Sequence, residues 1–202
     1  QSYRVPQTVH EVAESISKKI VGRLPKTWRP RPYQGFVFEH LGLDSIPLHE
    51  GEWLLLTRTN RLADRYGRLL REAGWVYKNR HGDPSIVPGL LDAIVDWEAW
   101  IRGAKLVPSQ IKGIYYYLKA DVGYREGYAP SARIFSTLDA TVALSMDEAR
   151  VSLGLLAPKD IWKRALTKVD DETKHYILSA RRRGDTVKNP RITVSTIHSM
   201  KG

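Results

Sequence analysis

The residues best suited to chemistry stand close together in the run Ile192-Thr193-Val194-Ser195-Thr196-Ile197-His198-Ser199-Met200-Lys201-Gly202. Thr196 and His198 offer donors for phosphate oxygens and Lys201 a cation, so the set suits a polyanion. Ile192 and Val194 alternate with Thr193 and Ser195, the period of a short half-buried strand. The polar residues would then leave its carboxyl end, where open parallel sheets place their ligand crevice. A core strand running into an ordinary solvated turn would show the same spacing.

Two other stretches carry residues of interest. In Gln1-Ser2-Tyr3-Arg4, Tyr3 and Arg4 read by themselves as a half-buried aromatic and a surface cation. Arg58-Thr59-Asn60 follows the apolar run Trp53-Leu54-Leu55-Leu56 and reads as a helix start, with Asn60 as N-cap. Trp28, Tyr33 and Trp53 offer stacking platforms, although Trp53 suits a core better. Asp170-Asp171 sits at a helix start, where capping explains it better than acid–base catalysis. The 6 histidines include no i, i+4 pair, and no G-x-x-x-x-G-K-[ST] phosphate loop is present.

Taken together these words resemble a family. Thr-Ile-His-Ser-Met-Lys-Gly at 196–202 resembles motif V of UvrD/Rep-like superfamily 1 helicases, T-x-H-x-x-K-G. Gln1-Ser2-Tyr3-Arg4 resembles motif IV, Q-N-Y-R-S, with Ser2 in place of Asn and Val5 in place of Ser. Residues 53–77 resemble the strand–R-T-N–helix block between the two, and all three stretches occur in the family's order. The resemblance implies that Tyr3 stacks on adenine and that Arg4 reaches the γ-phosphate as an arginine finger; a guanidinium fork stabilises the charge spread in phosphoryl transfer. Gly202 would border the nucleotide. Arg58, Thr59, Asn60, Thr196, His198 and Lys201 would lie along single-stranded DNA.

The elements that must position these residues follow from periodicity. Val5, Val9, Val12, Ile16 and Ile20 recur at helical spacing, with Pro6 in the first turn and Gly22 at the end. Residues 24–32 hold three prolines and read as an extended connection. Gln34-Gly35-Phe36-Val37-Phe38-Glu39-His40 reads as a strand. The apolar run at 53–56 predicts a strand covered on both faces. Leu62, Tyr66, Leu69, Leu70 and Ala73 predict a helix ended by Gly74, and Trp75-Val76-Tyr77 a short strand. Further on, helices are predicted over 88–103, around 111–118, after Pro158 and over 170–183, the last stopped by Gly184. Residues 124–136 read as loop. Tyr115-Tyr116-Tyr117 on a helix must point three ways, so at least one ring is exposed.

The expectation is therefore an α/β chain: a RecA-like parallel sheet with flanking helices, interrupted by a mostly helical inserted subdomain. Its parts are residues 1–81, the insert 82–184, and the sheet resumed over 185–202.

Composition sets the class of partner. With 32 Lys and Arg against 22 Asp and Glu, the net charge is +10 and the pI about 9.8, which favours an anionic partner. Residues 181–202 hold six basic residues against Asp185, half of that surplus. Arg181-Arg182-Arg183 reads as a solvated face or as a cationic cap on a helix carboxyl end. No apolar run approaches a membrane span. Zero cysteines exclude disulfides and thiolate chemistry and fit a cytoplasmic protein. The start at Gln1 rather than Met, inside a motif-like stretch, is what a piece of a longer protein would show.

The resemblance implies a C-terminal portion of an ATP-dependent DNA helicase or translocase, acting on single-stranded DNA or single/double-strand junctions. ATP with Mg²⁺ would bind between it and an N-terminal RecA-like domain that carries the phosphate loop and holds most of the Mg²⁺. Alone, this chain would not hydrolyse ATP. The rivals are a non-catalytic nucleic-acid-binding module of the same fold and a basic scaffold for an acidic protein.

Overall fold

A computed structural model describes residues 5–22, 24, 27, 29–185, 187 and 189–200. Two compact units divide between His49 and Glu50. The described residues form a mixed α/β protein with a small parallel sheet and several helices. Among them, no helix is long and apolar enough to cross a membrane.

In the first unit, α1 (Gln7–Ser17) follows Pro6. Its apolar stripe stays open, with none of its residues buried. The segment after Pro30 runs beside its start: Arg31 N–H donates to Val5 O at 2.9 Å, and Gln7 N–H to Tyr33 O at 3.0 Å. A short 3-10 turn spans Leu43–Ser45. The strand expected over 34–40 does not form. Among the described residues its backbone joins no strand ladder, although Gln34 O accepts from Thr8 N–H at 3.1 Å, and Phe36 and Phe38 lie exposed, their rings stacked at 6.1 Å.

The second unit begins with β1 (Trp53–Thr57), followed by α2 (Asn60–Glu72) and β2 (Tyr77–Lys78). The chain then runs through helices before β3 (Ile192–Thr196) enters between the first two strands, giving the order β1-β3-β2, all parallel. β3 was expected to be half-buried; as the central strand it buries Ile192, Val194, Ser195 and Thr196. α2 packs on β1 and β3, and Ala63, Leu70, Ile192 and Val194 are buried there.

β1 departs from expectation in the opposite sense. Trp53, Leu55 and Thr57 face inward, but Leu54 and Leu56 are 45% and 47% exposed. Among the described residues one face of this strand is open, so its continuous apolar run is covered on one side only.

Between β2 and β3 lie α3 (Pro88–Ile101), α4 (Pro108–Tyr115), α5 (Ile134–Thr137), α6 (Met146–Ser152), α7 (Trp162–Ala165) and α8 (Asp171–Arg183). They enclose the main core, built on Trp97, Trp100, Ile111, Ile114, Tyr115, Leu118, Leu153 and Ile177. The polar edges of its rings are satisfied by backbone: Trp97 Nε1 donates to Asp160 O, Trp100 Nε1 to Leu144 O and Tyr115 Oη to Leu153 O. The helix expected around 111–118 ends at Tyr115, and the turn that follows leaves Tyr115 buried, Tyr117 half-buried and Tyr116 exposed.

α8 ties these helices to the sheet layer. Asp170 caps it by accepting Thr173 N–H at 2.7 Å, and Gly184, at φ 72°, ends it in the left-handed conformation that glycine adopts without strain. Arg71 on α2 reaches Glu172 at 3.0 Å and Thr173 at 2.8 Å.

Candidate nucleic-acid interface

The site is set by strand register. Thr57 of β1 pairs with Thr196 of β3, so the segments that follow both residues leave the same edge of the sheet side by side. Ile197 N–H extends the ladder by donating to Thr57 O at 3.0 Å. Arg58-Thr59-Asn60 and Ile197-His198-Ser199 thus become neighbours, although well over a hundred residues separate them in the chain.

Two hydroxyl-centred turns shape this edge. Thr57 is buried, and its Oγ1 lies 3.0 Å from Thr59 O and 3.3 Å from Ser195 O, bending the chain out of β1 while holding it to β3. Thr196 is also buried; its Oγ1 accepts Ser199 N–H at 3.2 Å and lies 2.9 Å from Ser199 Oγ. That local turn projects Ile197, His198 and Ser199 outward.

The expected site residues separate into three groups. Arg58, Thr59, Asn60 and His198 are exposed on the shared edge. Thr196 is buried beneath it, with its hydroxyl engaged by the turn, so here it positions the loop. Tyr3, Arg4, Lys201 and Gly202 lie outside the described residues, as does Trp28. Asn60 does not cap α2. Thr59 does, accepting Leu62 N–H at 3.3 Å, because its extended backbone and short hydroxyl come one residue before the first helical position. A capping hydroxyl accepts through oxygen and keeps its own proton for a phosphate.

Reading the sequence missed Thr57 and Ser199. Both are small hydroxyl residues flanking the singled-out words, and their role exists only once β1 and β3 are paired. Arg58 has no ion-pair partner among the described residues. Nor do the described residues contain a group of three or more His, Cys, Asp or Glu placed to hold a metal ion.

No family model, curated protein or solved structure matches this chain.

Proposed function

We propose that this chain is the C-terminal RecA-like portion, with its helical insert, of a UvrD/Rep-like superfamily 1 DNA helicase or translocase. The observation that carries the reading is the Thr57–Thr196 register, which sets Arg58-Thr59-Asn60 beside His198 at the carboxyl edge of a parallel sheet. A guanidinium, a hydroxyl, an amide and an imidazole stand along that edge, all donors suited to a nucleic-acid backbone. The basic surplus of the chain supplies the long-range attraction.

In this reading single-stranded DNA crosses the sheet edge, and Lys201 extends the contact. ATP with Mg²⁺ is the co-substrate of the whole enzyme. Tyr3 is the adenine platform, Arg4 the arginine finger and Gly202 a neighbour of the nucleotide, roles that rest on the motif resemblance.

The test is single-stranded DNA binding by fluorescence anisotropy, with Arg58→Ala and His198→Ala compared with the parent chain. Salt-sensitive binding weakened by both changes supports the reading. Unchanged affinity in both variants refutes the sheet-edge track. In the full-length protein, Arg4→Ala should abolish DNA-stimulated ATPase activity while DNA binding persists. DNA binding without any ATPase activity in the full-length parent would favour the non-catalytic module.

A further inference from the structure

The outward surface of α2 carries two parallel strips that the sheet-edge site does not use. Arg61, Arg65 and Arg68 recur at i, i+4 and i+7, fall on one helix face and are all exposed. None has an ion-pair partner among the described residues; Asp64, the nearest acidic neighbour in sequence, lies 4.0 Å from Arg80 instead. The same face also holds Asp64, turned towards Arg80, and Glu72 at the helix end, so arginine outnumbers carboxylate along it. Alongside run Leu62, Tyr66 and Leu69, which remain 37%, 38% and 38% exposed.

We infer that this face of α2 is a binding strip for single-stranded nucleic acid, continuing the path from Arg58-Thr59-Asn60 down the helix. It rests on the sheet-edge reading, because Arg61 stands next to that edge in the chain. The chemistry of the two strips matches the two sides of a single strand. The arginines take successive phosphates, and Tyr66, flanked by leucines, takes a base on its ring face. An acidic protein segment would also satisfy the arginines, but the Tyr66 ring beside them adds the stacking face that a base uses.

The experiment is anisotropy with a fluorescein-labelled oligothymidylate at two salt concentrations, on the chain as it stands. Arg61→Gln, Arg65→Gln and Arg68→Gln together keep helix-forming side chains at exposed positions, and circular dichroism verifies the fold. The triple variant should bind about tenfold or more weakly, and its salt slope should fall by about 2, near 0.7 for each lost phosphate contact. Tyr66→Leu should weaken binding and Tyr66→Phe should preserve it. If the triple variant binds like the parent while Arg58→Ala and His198→Ala weaken binding, the strip is wrong and the sheet-edge reading stands. If only the triple variant and Tyr66→Leu lose affinity, the strip stands and the edge reading fails. Polyglutamate competing as well as DNA, or no DNA binding at low salt, overturns the strip.

Discussion

The guanidinium carbon of Arg183, at the end of α8, lies 3.9 Å from the centroid of the Trp75 ring, just beyond α2. The same side chain donates to Ala73 O at 2.8 Å, where α2 ends. One arginine thus stacks on the connection between α2 and β2 and satisfies a terminal carbonyl there, joining the helical segment to the layer that carries the candidate site.

A double-mutant cycle on this pair, Arg183→Ala with Trp75→Ala, should return a coupling of about 0.5–1 kcal/mol in urea unfolding, the range of a partly exposed cation–π contact. Arg182→Ala, at an exposed neighbouring position, should change stability by less than about 0.5 kcal/mol. Equal effects at both positions would refute a specific role for Arg183.

Tyr176 is a second joint between the same parts. Its Oη donates to Trp75 O at 2.8 Å and lies 2.5 Å from Ser85 Oγ, while Arg71 sits over its ring at 4.7 Å. Tyr176→Phe would leave the Trp75 carbonyl without this donor and should cost about 1–3 kcal/mol. Burial pushes the phenol up from 10.0 to about 12, partly opposed by the hydrogen bond to Ser85. The folded state therefore holds this proton more tightly than the unfolded state. The associated stability is complete below pH 10 and lost as pH rises towards 12. Unfolding curves across that window should lose part of their slope in Tyr176→Phe.

The start of α6 supplies an acid-side prediction. Ser145 N–H donates to Glu148 Oε2 at 2.6 Å, Glu148 N–H donates back to Ser145 Oγ at 3.2 Å, and Lys105 Nζ lies 3.2 Å from Glu148 Oε1. The hydrogen bond from the Ser145 backbone, with help from the Ser145 side chain and Lys105, holds the carboxyl down from 4.5 to about 2. Its contribution is present above pH 4.5 and lost as pH falls towards 2. Ser145→Ala should cost about 1 kcal/mol at neutral pH through loss of the cap. Glu148→Gln should flatten acid unfolding in that window; an unaltered acid limb would show the box to be inert.

Local patterns made much of the fold legible. The apolar run at 53–56, the helical spacing from Leu62 to Ala73, the helix after Pro88 and the stop at Gly184 each depend on neighbours a few residues away, and those elements form. The Ser145-x-x-Glu148 box was an equally local signal for α6 that went unread. Where local rules failed, a distant partner decided. Residues 34–40 look like a strand but join no ladder among the described residues. Leu54 and Leu56 look like core but face the uncovered side of β1. Arg181 and Arg183 look like a solvated run, yet one reaches Glu98 at 2.6 Å and the other stacks on Trp75.

The candidate site divides along the same line. The sequence alone determined which residue types stand at the ends of β1 and β3, because strands and turns are written in short-range alternation and punctuation. Only the tertiary structure decided that Thr57 and Thr196 pair in register, that Thr59 rather than Asn60 caps α2, and that Thr196 lies beneath the edge while His198 stands on it. Parallel pairing joins segments remote in the chain through backbone hydrogen bonds common to every residue, so side-chain spacing carries no record of which strands will meet.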